Sequence, residues 1–284
     1  MRRKRKRWMK AAACLALFFL TPVLTGLVMN LVWVGEEPSL TEDVGRFREM
    51  KVAAERMEGC ENWNGKEYRK LARDYLYYDG SIKQGMKSVS PFSWYGMLLP
   101  GDKVDGYAKA FQTVLSDVKC FPVANDSQGK ETVNYEDSWG KSRNYGGKRI
   151  HEGTDIMTSN NVRGYFPVVS VSDGIVEKKG WLKLGGYRIG VRSASGAYFY
   201  YAHLANYSGE LEEGSKVKAG QLLGYMGDSG YGKEGTVGKF DVHLHFGIYI
   251  KIGKNEVSVN PYEVLNRVKK KRVSLVGIRK QNFA

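Results

Sequence analysis

The sequence predicts a mainly β protein, an antiparallel β domain preceded by a small helical region and a transmembrane helix. Three observations carry this reading. From Cys120 onward, short apolar runs are punctuated by glycine: Pro167–Val171, Gly174–Glu177, Tyr187–Arg192, Ala197–His203, Gln221–Met226 and Val242–Ile250. Runs of that length at that spacing predict antiparallel strands. Residues 39–118 repeat apolar side chains at helical intervals instead, and residues 11–34 carry no charge at all.

The elements follow in chain order. Residues 1–10 form a basic tail with Arg2, Arg3, Lys4, Arg5, Lys6, Arg7 and Lys10. The uncharged run 11–34 would make about 36 Å of helix, enough to cross a bilayer core of about 30 Å. Basic residues before it and Glu36 and Glu37 after it place the N-terminus in the cytoplasm and the rest of the chain beyond the cell membrane. A cleaved signal peptide is the rival, but no small-x-small site closes the run, and Cys14 stands at the wrong end for a lipoprotein cleavage site. Residues 35–119 are the helical region, 120–266 the β domain and 267–284 a second basic tail.

Within the helical region, Ser39 and Glu42 have the spacing of a capping box, followed by Val44, Phe47, Met50, Ala54 and Met57. Tyr68, Leu71, Ala72, Tyr75 and Leu76 form a second helical stripe. Asp102 opens a third, with Tyr107, Phe111, Val114 and Leu115. Such stripes predict core, and no chemistry is assigned to them. If the chain lies outside the cytoplasm, Cys60 and Cys120 could form a disulfide; two free thiols are the alternative.

Charge excludes one function class. The 44 Lys and Arg outnumber the 30 Asp and Glu. Seven of the bases lie in residues 1–10, and seven more (Arg267, Lys269, Lys270, Lys271, Arg272, Arg279, Lys280) lie in 267–284. Without these two tails, 30 bases face 30 acids. A neutral body lacks the distributed basic face that nucleic-acid binding requires.

All 4 histidines fall in the β domain. His243 and His245 alternate with Leu244 and Phe246 in a strand-like run, so both imidazoles point to one face. His203 ends the run Tyr198-Phe-Tyr-Tyr-Ala-His203. His151 is followed at i+4 by Asp155 through Gly153, which permits a bend. Two histidines and a carboxylate suffice for a catalytic zinc, which takes three protein ligands and leaves a fourth position to water. The set is His151, Asp155 and one member of the His243/His245 pair. Residue 155 is Asp and Gly153 disfavours a helix, so the helical His-Glu-x-x-His zinc motif is absent.

These residues resemble the lysostaphin-type, or LytM-like, zinc endopeptidases of bacterial cell-wall peptidoglycan. The pattern is carried by His151-Glu-Gly-Thr-Asp155, Tyr201-Ala-His203-Leu204, Gly220-Gln-Leu-Leu-Gly224-Tyr-Met-Gly227 and His243-Leu-His245-Phe246. Asp173-Gly-Ile-Val176, Gly185-Gly-Tyr187 and Val259-Asn-Pro261 also match, in the family's order, over residues 120–265. The resemblance implies a duplicated-hybrid-like peptidase domain, zinc held by His151, Asp155 and His245, and His243 and His203 beside the open position. His243 is then the expected base, His203 the expected stabiliser of the oxyanion, and a peptidoglycan peptide the substrate. The sequence departs from the family at Gly238-Lys-Phe-Asp-Val242 and at Gly247, where Glu is frequent.

Other readings remain open at this stage. A scaffold or wall-binding module on the same fold is the alternative to an enzyme. The helical region could hold the enzyme latent, with Asn125 or Asn134 on the open zinc position. Trp139, Tyr145, Tyr165 and Trp181 could line the groove or pack under loops. The basic tail 267–284 could hold anionic wall polymers, or could be a solvated tail or a last strand, Val273–Ile278, packed on the domain.

Overall fold

The computed structural model describes residues 40, 44–91, 93, 99–126, 129–144, 147–209 and 211–275. Its first part is helical: α1 (Val44–Arg48), α2 (Gly65–Tyr77) and α3 (Gly101–Leu115). Helix α2 begins at a capping box, because the Asn64 side chain accepts from Lys66 N and Glu67 accepts from Asn64 N. Its buried stripe of Tyr68, Leu71, Ala72 and Tyr75 faces Tyr107, Phe111 and Val114 of α3. Phe47 of α1 closes the cluster, 5.0 Å edge-on from Phe111.

The stripe through Met50 and Met57 does not continue α1 as one helix. Met50 takes φ 46°, and a separate 3-10 turn follows at Ala54–Met57. Tertiary pairing overrides the helical spacing there. Val52 bridges to Ile82, and Arg48 O accepts from Asn260 N at 2.7 Å. The expected cap at Ser39 and Glu42 lies outside the described residues.

The second part is β: β1 (Val133–Tyr135), β2 (Ser142–Arg143), β3 (Arg149–Ile150), β4 (Thr154–Thr158), β5 (Pro167–Val169), β6 (Gly174–Leu182), β7 (Gly186–Arg192), β8 (Tyr198–Tyr207), β9 (Lys216–Val217), β10 (Leu222–Met226), β11 (His243–Ile252) and β12 (Asn255–Val259). Among the described residues, the main sheet runs β1-β4-β11-β8-β7-β6-β9, with β12 beside β11 and β10 bridging β5 and β8. Its named pairings are antiparallel. Helix α4 (Tyr262–Val268) follows β12.

Alternation divides the sheet into two faces. Leu244, Phe246, Ile248 and Ile250 of β11 are buried, as are Phe199 and Tyr201 of β8 and Ile189 and Val191 of β7. The helices and this face of the sheet contribute to one hydrophobic core. His243 and His245 therefore lie on the opposite, more open face.

Single-pass placement in a membrane is corrected. Among the described residues no helix is long and apolar enough to cross a membrane. The longest of them, α3, has 15 residues, about 22 Å against about 30 Å of hydrocarbon. The run 11–34 that suggested a span lies outside the described residues.

Cys60 and Cys120 are free, buried thiols. Their Sγ atoms lie against different carbonyls, Leu115 O at 3.6 Å and Ser170 O at 3.3 Å. Burial pushes each thiol up to about 11.

The beginning of the basic C-terminal tail is part of the fold. Arg267 is buried, donating to Glu61 and to Val118 O, while Lys271 pairs with Glu61 and Arg272 donates to Val123 O and Ala124 O. Asn125 N donates to Val273 O, and Val273 and Leu275 pack on Cys120, Ala124 and Val169. These three cations are engaged internally, so the structure gives no support to a polyanion-binding tail; residues 276–284 lie outside the described residues.

Candidate metal centre

Three side chains from two strands and one loop meet on the open face. His245 of β11 stands directly across from Asp155 of β4 in the strand register, and His151 reaches them from the loop before β4. His151 Nε2, Asp155 Oδ1 and His245 Nδ1 are each 3.0 Å from one another. Gly153 makes this approach possible, since a Cβ there would sit 2.6 Å from Phe246 O and 2.7 Å from the His245 ring.

The rest of each side chain is held from outside. Ser138 O lies 3.0 Å from His151 Nδ1 and accepts its hydrogen, which leaves the Nε2 lone pair facing the cluster. Arg143 of β2 donates to Asp155 Oδ2 at 2.6 Å. Burial raises the Asp155 carboxyl, but the imidazoles of His151, His245 and His243 lower it by more, so it stays far below the usual carboxylate range. Burial pushes His245 down, with Asp155 opposing.

This donor set fits a divalent zinc-type ion. A tetrahedral zinc site with bonds of about 2.0–2.1 Å has ligand edges of about 3.3 Å, close to the 3.0 Å triangle observed. Outer hydrogen bonds to a carbonyl and a guanidinium are those that orient metal-ligating imidazoles and carboxylates. Among the described residues, these three form a group able to hold a metal.

Two more histidines flank the triangle. His243 Nδ1 lies 2.7 Å from Asp241 O, and His203 Nδ1 lies 2.8 Å from Ser229 O. Each carbonyl accepts the Nδ1 hydrogen, so each neutral ring presents Nε2 as an acceptor. His243 Nε2 is 3.8 Å from Asp155 Oδ1, and the two rings are 4.7 Å apart. His203 sits in a bulge of β8: Tyr187 pairs with Leu204 and Ile189 with Tyr201, so Ala202 and His203 together oppose Arg188. The bulge gives His203 a left-handed φ of 61° and turns it into the site. Burial, reinforced by His243 and His245, pushes His203 well below the ordinary imidazole value.

All five sequence-predicted residues thus meet in one place. A cavity of about 280 Å³ is lined by them and by Arg143, Arg149, Tyr231, Lys239 and Phe240. A second, of about 500 Å³, continues from His151, His203 and His245 past Tyr198, Tyr200 and Tyr249 to Arg188 and Lys178. Of the aromatics that could line the groove or pack under loops, three pack: Trp139 bonds Ser258 under Arg48, Trp181 packs on Tyr187, and Tyr165 packs on Phe166. Tyr145 lies outside the described residues. Asn125 donates to Arg272 O and Ser274, and Asn134 pairs with Met157 in the sheet, so no hydrogen bond joins either to the triangle. Arg143 was missed at the sequence level, because only the fold brings β2 over Asp155.

Gly247 accounts for itself locally. A Cβ there would meet the Tyr249 ring at 2.8 Å, Glu152 O at 3.3 Å and Tyr200 Cβ at 3.5 Å. In this chain, tyrosines occupy the space that a side chain at 247 would take.

Comparison with known proteins agrees with the geometry. Residues 149–261 match Peptidase family M23. Over 128 residues the chain is 46% identical to the L-Ala--D-Glu endopeptidase of Bacillus subtilis (strain 168), covering 45% of this chain and 38% of that relative. It is 30% identical over 118 residues to lysostaphin of Staphylococcus simulans, covering 41% of this chain and 21% of that protein. The chain therefore spans well under half the length of these curated relatives. A Ruminococcus gnavus crystal structure bearing the name glycyl-glycine endopeptidase lytM is 45% identical with a TM-score of 0.70, covering 82% of this chain and 94% of that one. Likeness over nearly the whole of that structure, helices included, together with the matched stretch that holds all four histidines, means that this chain belongs to peptidase family M23 as a LytM-like member.

Proposed function

We propose that the protein is a zinc endopeptidase that hydrolyses peptide bonds of bacterial peptidoglycan. The observation that carries this is the 3.0 Å triangle of His151, Asp155 and His245 with two further imidazoles aimed at its open side. A metal-binding scaffold has no need of His243 and His203, whose hydrogen bonds to Asp241 O and Ser229 O use Nδ1 and leave Nε2 directed at the site.

In this reading, His151 Nε2, Asp155 Oδ1 and His245 Nδ1 would hold a zinc ion, which would supply acidification of a water towards a pKa of about 7 and polarisation of the scissile carbonyl. His243 Nε2 takes the proton of the attacking water, because Asp241 O fixes its Nδ1 hydrogen and leaves Nε2 basic. His203 Nε2, an acceptor while neutral, holds the second hydrogen and aligns the water between the two rings. An imidazole that has gained a proton then donates it to the departing amine, or donates a hydrogen bond to the carbonyl oxygen. The oxyanion role expected for His203 therefore belongs to its protonated form, which burial disfavours until a proton is delivered.

The relative that shares 46% identity is named for the bond between L-Ala and D-Glu, whereas lysostaphin, at 30%, is more distant. The structure that shares 45% identity is named for a glycyl-glycine bond instead, so the names do not choose between a stem-peptide bond and a glycine bridge, and the digest decides. The test is metal analysis combined with cleavage of purified muropeptides. One zinc per chain, loss of cleavage on chelation and its return with zinc are expected; a zinc-loaded protein inert on muropeptides would favour the scaffold.

A further inference from the structure

Three basic side chains line the larger cavity beside the triangle, Arg149, Lys178 and Arg188, and Arg149 donates to Tyr231 Oη. The cavity's acids are already engaged, Glu152 with Arg48 at 3.0 Å and Glu256 with Arg192 at 2.8 Å. Its Lys178 faces Glu213 at 3.8 Å. Arg188 also lines the cavity, half-buried, with no ion pair among the described residues, and its Nη1 is buried without a hydrogen-bond partner. A desolvated guanidinium nitrogen with no acceptor is costly, and an entering acceptor would remove that cost.

The register places Arg188 in line with the reacting centre. Across the sheet, Asp155 pairs with His245 and His245 with Ala202. Ala202 and His203 oppose Arg188 through the bulge, and Arg188 pairs with Gly180. The β7 backbone is pinned there, because Tyr207 Oη donates to Arg188 O and Gly180 O, both at 3.0 Å. His245, Ala202 and Arg188 line the same cavity, and the Ala202 side chain between them is only a methyl group. Two strand spacings separate the His245 and Arg188 backbones by about 10 Å. An extended substrate advances about 3.3–3.6 Å per residue, so the Arg188 backbone stands about three substrate residues from the bond at the zinc, and its long side chain, reaching along the cavity, brings the guanidinium within about one or two.

We propose that Arg188 determines specificity by binding a carboxylate borne on a substrate residue flanking the scissile bond. This rests on the endopeptidase reading above. A planar guanidinium matches a carboxylate with two parallel N–H···O bonds, which an uncharged amide cannot reproduce. The substrate class is therefore an acidic peptide.

The experiment uses the zinc-loaded protein and two pairs of stem-type peptides. One pair carries a free acid or its amide on the acyl side of the cleaved bond, and the other carries them on the amine side. The wild-type protein is expected to show kcat/KM roughly 10- to 100-fold higher for the acid than for the amide in one pair, which also identifies the side. In Arg188→Gln that ratio falls to about 1, with one zinc still bound. Arg188→Lys, which keeps the charge and loses the fork, should give an intermediate ratio. Ratios near 1 in both pairs for the wild type, or an unchanged ratio in Arg188→Gln, overturn the proposal. Failure to cleave any of the four peptides would count against the endopeptidase reading instead. Peptide affinity, measured by calorimetry on the same protein, would then decide the carboxylate site: tighter acid binding supports it and equal binding overturns it.

Discussion

Arg143 Nη2 lies 2.6 Å from Asp155 Oδ2, so one oxygen of that carboxylate is bound to a guanidinium while the other faces two imidazoles. The contact fixes the carboxylate plane and decides which oxygen is presented to the triangle. Both β2 and the loop carrying Ser138 act in this way, as supports that reach the site from outside the main sheet.

Replacing Arg143 by Met should therefore loosen the metal without removing a ligand. Zinc affinity is expected to fall about 10- to 100-fold, as for other partners of ligating groups. Competition with a chromophoric chelator measures it, and an unchanged affinity would show the contact to be incidental.

His243→Ala separates catalysis from metal binding. Its Nε2 is 3.8 Å from Asp155 Oδ1 and outside the 3.0 Å triangle, so one zinc per chain should remain. Loss of a general base is expected to lower kcat about 10²- to 10⁴-fold. Metal analysis beside steady-state kinetics checks both halves.

Gly186→Ala tests how the sheet supports His203. Gly186 has φ 64°, and a Cβ there would lie 2.2 Å from Ser229 O, the carbonyl that accepts from His203. Left-handed backbone and a backbone clash together should cost about 2 kcal/mol or more. Urea unfolding gives the stability, and activity should fall as well, because Ser229 must shift.

The buried thiols give a pH prediction. Desolvation raises Cys60 and Cys120 from 9.0 to about 11, so the folded state holds its thiol protons more tightly than the unfolded state. The contribution to stability is complete below about pH 9 and is lost as pH rises through about 11. In a Cys14→Ser background, a thiol reagent at pH 8 should label neither residue until urea is added, and then both. No label in urea would indicate that the two are paired.

How legible was this in the sequence? The His243–His245 alternation showed which face carried the imidazoles, because a strand has a period of two. The tyrosine run before His203 located β8. Strand β4 was not anticipated, since Gly153 read as a bend and the five residues after it lack a clean apolar alternation; its pairing with β1 and β11 makes it a strand. Arg143 and Arg188 stayed hidden for another reason. Each owes its place to strand register rather than to local pattern, and a bulge such as the one at Ala202–His203 leaves no signal in composition. Helix α1 stopped early because Arg48 is drawn to Ser258 and Glu152, contacts more than 100 residues away in sequence.

The central claim is peptide-bond hydrolysis at the His151–Asp155–His245 centre, assisted by His243 and His203. Mass spectrometry of the products formed from defined cross-linked peptidoglycans tests it most directly, with the zinc-loaded wild-type protein beside His243→Ala. The account predicts new amino- and carboxyl-terminal fragments from one bond in the wild-type digest and a large loss of them in the variant. Intact muropeptides with the zinc-loaded wild type, or equal cleavage by His243→Ala, would contradict it.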